Sequence, residues 1–138
     1  KTYNLLIGER TAEELKIMLG SASIEKAQGS MQVRGRDMVT GLPRVVEVPA
    51  KEIAVAMSEI IHQILDAVKD VLEQTPPEIS ADVIDHGIVL TGGGAMLRHL
   101  AEMISKETQV PAFVANDPLD CVALGTGAIL ANPSLMKK

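Results

Sequence analysis

Gly87-Ile88-Val89-Leu90-Thr91-Gly92-Gly93-Gly94-Ala95-Met96-Leu97-Arg98-His99-Leu100 is the stretch whose reading decides the fold. Ile88, Val89, Leu90 and Thr91 are apolar or β-branched and read as a short buried strand. The three glycines that follow let the backbone turn sharply without a Cβ clash. Leu97, Leu100, Ala101 and Ile104 then recur at helical spacing, with Arg98, Glu102 and Lys106 off that stripe. Strand, glycine turn and helix make a phosphate-facing geometry, because free N–H groups at a helix start favour an anion. A plain strand-to-helix connection needs one or two glycines, so three in a row point to a ligand site.

Composition bounds what surrounds this stretch. At 138 residues the chain fits one domain or two small subdomains. With 46% apolar and 22% charged residues it is an ordinary globular chain, not a disordered one. The aromatics are Tyr3 and Phe113, which argues against base stacking, and a net charge of −5 argues against a nucleic-acid backbone as partner. Cys121 is the single cysteine, makes no internal disulfide and suits a reducing compartment. No apolar run approaches the ~18 residues of a membrane span, and no signal peptide is read. An opening Lys1-Thr2 without an initiator methionine reads as a piece of a longer polypeptide.

Upstream, residues 3–7 form a short apolar run stopped at Gly8 and read as the end of a helix begun earlier. Thr11-Ala12-Glu13-Glu14 reads as a capping box, opening a helix that buries Leu15, Met18 and Leu19 and closes at Gly20. Glu13 and Lys16 stand three apart and share a face, which by itself makes only a surface ion pair. Met31 and Val33 alternate with Gln32 and Arg34, and Val46 and Val48 flank Glu47, predicting a hairpin with a long turn over 35–43. Arg34, Arg36 and Arg44 form a small basic patch on a solvated face.

Residues 51–74 carry a helical stripe, read as one long helix or as two with a break near Ser58, ended by Thr75-Pro76-Pro77. Residues 78–86 read as a loop with a short helical turn. A second strand is expected over 110–115, and then a helix over 119–131 with Asp117 as N-cap, Pro118 at N1 and Asp120 at N3. Ala123, Gly125, Thr126, Gly127 and Ala128 in that helix suggest that another backbone approaches closely. His62, His86 and His99 are not spaced as metal ligands. Helix, strand, helix, strand, helix is half of an α/β layer, and two strands need neighbours to make a stable sheet.

Three segments resemble an actin-fold ATPase, and most closely the MreB-type bacterial actins (rod shape-determining proteins) of the actin, chaperone and sugar-kinase superfamily. The run from Val89 to Leu97 is similar to the family's adenosine motif, and the run from Gly8 to Lys16 to its ribose-holding segment. The run from Asp117 to Gly127 resembles the second connecting motif, and Val33-Arg34-Gly35-Arg36-Asp37 with Gly41-Leu42-Pro43-Arg44 narrows the match. The resemblance implies part of an α/β, ribonuclease H-like actin fold. By the same resemblance residues 1–7 would end an upstream helix, 8–57 form subdomain IIB, 58–128 most of subdomain IIA, and 129–138 the end of a connecting helix and tail. The resemblance further implies that adenine would lie between the subdomains, with Met96 contacting the base, Gly93 and Gly94 the α-phosphate and sugar, and Glu13 and Lys16 the ribose hydroxyls, and with Gly92 and Ala95 completing the motif.

The implied cofactor is ATP or ADP with Mg2+, the metal being held by residues outside this chain. The phosphate loops and catalytic residues also lie outside it, so the chain alone should be inactive, while the intact protein is an ATPase. The implied function is cytoskeletal: a cytoplasmic, self-polymerising filament on the inner face of the plasma membrane that works with the cell-wall elongation machinery to maintain rod shape. One alternative is an NAD(P)-binding Rossmann-type oxidoreductase, since Gly92-x-Gly94 follows a strand and Asp117 follows the next, but Leu97 stands where the third glycine belongs. A non-catalytic adaptor is the other.

Overall fold

Burial alternates along residues 30–37, with Met31, Val33 and Asp37 turned inward and Gln32, Arg34 and Arg36 outward, the period-two pattern of a strand with one solvated face. The computed structural model describes residues 1–132 and Ser134, and the chain divides into two units, Lys1–Ala67 and Val68–Lys138. In the first, β1 (Leu5–Leu6), β2 (Ser30–Asp37) and β3 (Pro43–Pro49) form an antiparallel sheet in the order β1-β2-β3. Leu5 lies opposite Asp37, and Val33 opposite Val46. Leu15 and Leu19 of α1 (Glu9–Leu19) join Ala27, Val33 and Val48, and Ala50 and Ala54 of α2 (Ala50–Glu73), in one core.

Residues 1–7 do not end a helix. Leu5 and Leu6 instead pair with β2, and Gly35 is what admits them. A Cβ there would lie 2.5 Å from the Leu6 carbonyl oxygen and 2.8 Å from Leu5 Cγ. A run this short has too little periodicity to separate strand from helix. The hairpin turn is also tighter than expected, because β2 runs on through Gly35 to Asp37. Asp37 closes the turn: its Oδ1 accepts the N–H groups of Val39 and Thr40, each at 2.9 Å, and its Oδ2 accepts Arg44 at 2.9 Å. Gly41 takes φ +73, where a side chain is strained.

Of the two readings of residues 51–74, the structure has one continuous helix, with Ala50, Ala54, Ile61 and Leu65 as its buried stripe. The division between the units falls within it. The loop expected over 78–86 is α3 (Pro77–His86), with proline in its first turn. It buries none of its residues, so it lacks the clean apolar stripe by which sequence identifies a helix.

In the second unit β4 (Ile88–Leu90) and β5 (Ala112–Val114) pair in parallel, Val89 opposite Phe113, and α4 (Leu100–Thr108) lies in the crossover between them. Gly87, at φ +78, lets the strands meet: the Ile88 N–H donates to the Pro111 carbonyl at 2.7 Å, and a Cβ on Gly87 would lie 2.6 Å from that oxygen. Ser105 ties α4 to β5, its Oγ accepting the Ala112 N–H at 2.7 Å and donating to the Ala101 carbonyl at 2.9 Å. α5 (Cys121–Ala131) starts later than expected, with Asp120 as its cap residue. Asp117 takes φ +47 and accepts the Asp120 N–H at 2.9 Å, so residues 117–120 form a turn and not a first helical turn. None of α5 is buried. No described atom lies within 4 Å of a Cβ at Gly125 or Gly127, so the described residues do not supply the approaching backbone that its small residues suggested.

The Asp37 turn makes a pH-dependent contribution to stability. The Thr40 and Val39 N–H groups, and then the Arg44 guanidinium, hold its carboxyl down to about 2 from an ordinary 3.8. The folded-state value is depressed, so the stabilisation is complete above the unfolded value and lost as pH falls from about 4 through about 2. Urea midpoints measured over that window should fall more steeply for the unsubstituted protein than for Asp37→Asn. Parallel slopes would show that the turn does not depend on this charge.

Candidate functional site

The two sets of sequence-predicted site residues lie in different units, and each has its own local logic. In the first unit they sit on α1. Leu15 and Leu19 face the core, but Met18, expected beside them, is exposed because it falls off the face that meets the sheet, and Glu13 and Lys16 lie on the solvated side of the helix. Lys16 Nζ donates to Glu13 Oε2 at 2.8 Å, with about half of each side chain exposed. Glu13 Oε1 receives no hydrogen bond among the described residues, so it is open to a hydroxyl donor. The expected capping box does not form: α1 begins at Glu9 with Gly8 as N-cap, and Glu14 accepts from Arg10 Nε at 3.2 Å in place of Thr11. The Gly8 carbonyl takes the Ala12 N–H at 3.1 Å, so the helix is already running where Thr11 was to cap it. A cavity of about 200 Å³ in this unit is lined by Leu5, Ile7, Leu15, Val33 and Val48 and touches neither Glu13 nor Lys16.

In the second unit β4 delivers the chain to Gly92, which takes φ +81 and ψ 173, a backbone region open almost only to glycine. The Gly92 N–H donates to the Pro118 carbonyl at 2.7 Å. Gly93–Met96 then forms a 3₁₀ turn, closed by Ala95 N–H to the Gly92 carbonyl at 3.2 Å and Leu97 N–H to the Gly94 carbonyl at 3.1 Å. A Cβ on Gly94 would meet nothing within 4 Å, so packing within the described residues does not demand a glycine there. Room left for something else does explain it. Ala95 is buried, while Met96 is 58% exposed.

The glycines do not open directly into an α-helix. Leu97 turns extended, His99 takes φ +65, and α4 begins only at Leu100. The anion attraction expected from a helix start therefore does not reach this turn. What it offers is the N–H groups at the start of a 3₁₀ turn, which have no acceptor within it. The Gly92 contact to Pro118 was missed because Asp117-Pro118 reads locally as a helix start, and nothing in sequence links the two segments. Among the described residues no cluster of His, Cys, Asp or Glu could hold a metal ion. His62 and His86 each bond the carbonyl four residues back through Nδ1, at 2.7 and 2.9 Å.

The family model for MreB/Mbl protein matches residues 1–138. The cell shape-determining protein Mbl of Bacillus subtilis (strain 168) is 48% identical over 138 residues, which is 100% of this chain and 41% of the relative. The cell shape-determining protein MreB of Escherichia coli (strain K12) is 45% identical over 130 residues, 94% of this chain and 38% of the relative. MreB5 of Spiroplasma citri, solved bound to ADP, is 36% identical with a TM-score of 0.88, covering 98% of this chain and 40% of its own. The same protein, solved bound to AMPPNP, gives a TM-score of 0.87. The chain thus spans about two fifths of the length of the curated relatives it matches, and its α/β fold is part of the actin-like ATPase fold.

The glycines of the turn should separate by mutation. Gly92→Ala forces a side chain into the glycine-only region and should cost about 1–3 kcal/mol in a urea unfolding series. Gly94→Ala adds its Cβ to open space and should stay within about 0.5 kcal/mol of the unsubstituted protein. Equal losses at the two positions would contradict this description of the turn.

Proposed function

This chain belongs to the MreB/Mbl family, and from that premise we propose that it supplies the adenosine-binding half of an actin-like, ATP-binding filament protein. The observation that carries the reading is the open glycine turn. Gly94 has room beside it that no described side chain fills, Gly92 holds a glycine-only backbone, and Met96 is exposed next to them. Such a turn suits close approach of a sugar and phosphate to the backbone, with the Met96 side chain left for the base. On α1, the open Oε1 of Glu13 suits a ribose hydroxyl, with Lys16 holding the carboxylate in place through Oε2. That MreB5 of Spiroplasma citri was solved with ADP and with AMPPNP supports the nucleotide assignment.

ATP bound with Mg2+ would bring the transferable phosphoryl group. The residues of this chain would hold the base, the sugar and the α-phosphate, and the metal and the outer phosphates would fall to residues outside it. In the full-length protein we place ATP hydrolysis, self-polymerisation, cytoplasmic location at the inner face of the plasma membrane, and work with the cell-wall elongation machinery to maintain rod shape. No helix among the described residues is long and apolar enough to cross a membrane. The oxidoreductase alternative is not favoured by family membership, and it also lacks the third glycine, which close helix–strand packing requires.

Calorimetric titration of the full-length protein tests the reading: ATP should bind and NAD should not. Glu13→Ala should weaken ATP by about tenfold or more, the loss of a hydrogen bond to a charged acceptor. Sedimentation should give more pelleted protein with ATP than without. Binding of NAD in preference to ATP would overturn the assignment.

A further inference from the structure

The outward face of the first unit's sheet carries two arginines set among apolar side chains. Gln32, Arg34 and Arg36 point outward from β2. Strand pairing puts Leu6 and Pro43 on either side of Arg36, and Val45 beside Arg34, and side chains paired across strands share a face. Leu6 is 50% exposed and Val45 55%. Arg44, grouped with these two in sequence, turns to Asp37 at 2.9 Å and so leaves the patch. Arg34 and Arg36 make no hydrogen bond or ion pair with any described residue. The acid among these outward strand positions is Glu47, opposite Gln32, and it accepts from Ser30 Oγ.

Charged side chains on a strand commonly guard an open edge against pairing with another chain. β2 is the central strand, with both of its edges already paired, so that need is absent. A sheet face left to water alone is normally polar along every strand, whereas Leu6, Pro43 and Val45 flank the cations here. Apolar surface with arginine set in it is the composition of protein–protein contacts. We propose that this face docks an acidic peptide segment of a partner protein, with two carboxylates meeting Arg34 and Arg36 and aliphatic side chains covering Leu6 and Val45. Charge selects the occupant: two guanidinium forks without acceptors, on a chain of net charge −5, each take a carboxylate in a bidentate pair. Spacing selects its form. Residues two apart on a strand stand about 7 Å apart, and an extended peptide sets its own alternate side chains at the same interval. A segment with acids at alternate positions therefore meets both arginines at once.

The test titrates the full-length protein against a short fluorescein-labelled peptide with two aspartates at alternate positions flanked by leucines, read by anisotropy. The peptide should bind, and its counterpart with asparagines should bind about tenfold more weakly or worse. Arg34→Glu combined with Arg36→Glu should abolish binding while leaving the urea midpoint unchanged. Arg34→Lys combined with Arg36→Lys keeps the charge without the forks and should weaken binding by about threefold or more. Should the reversed pair fail to fold, the lysine pair decides. No binding of the acidic peptide, equal binding of the two peptides, or affinity unaltered by these substitutions overturns the proposal. So does tighter binding to phosphatidylglycerol vesicles than to the peptide, which would make the face a membrane contact. Self-association that charge reversal abolishes and the peptide does not displace would put a second copy on this face, and would overturn it equally.

Discussion

The parallel contact between β4 and β5 is the constraint on which the second unit depends. Ile88 bonds Pro111 at one end of the pair, and the Ala115 N–H bonds the Leu90 carbonyl at 2.9 Å at the other. Gly87 makes the first of these possible by omitting its Cβ. Once two strands run in parallel, their carboxyl ends leave the sheet on the same side. The glycine turn after β4 and the Asp117–Asp120 turn after β5 therefore emerge next to each other, and the Gly92–Pro118 hydrogen bond follows from that. Crevices at the carboxyl ends of strands are where open α/β sheets bind ligands, and here that end carries a backbone only glycine can adopt.

The first unit uses a missing Cβ for a different purpose. Gly35 lets the short β1 lie against β2, and Asp37 pins the hairpin turn with one carboxylate serving two N–H groups and a guanidinium. The resulting sheet gives α1 a surface for Leu15 and Leu19. With those side chains directed inward, Glu13 and Lys16 have nowhere to go but outward. Their ion pair is too exposed to contribute much to stability.

The hairpin, the Leu15 and Leu19 face of α1 and a helical run over 51–74 were legible in sequence because each follows a local period, and the β4–glycine segment because its composition changes abruptly. That the run is one helix, that Met18 is 62% exposed and that Val89 of β4 is 52% exposed were not. α3 was missed because it buries no stripe. α5 was found but its start was misplaced, since Asp117-Pro118 looks like a cap until the strain at Asp117 shows a separate turn. The helix is apolar throughout, and no described residue covers it. A helix that is apolar all round is normally a buried one.

The sequence by itself determined the element types with strong periodicity, the glycine triplet, the pairing of Glu13 with Lys16 and the resemblance to the MreB-type actins. Each of these resides in residues close together along the chain. Only the tertiary structure decided that Leu5 and Leu6 are a strand, that the glycines close into a 3₁₀ turn set apart from α4, and that Pro118 and Leu119 lie on that turn. The reason is the same in each case: the deciding contact joins segments far apart in sequence, and no local pattern of side chains encodes where a distant carbonyl will be.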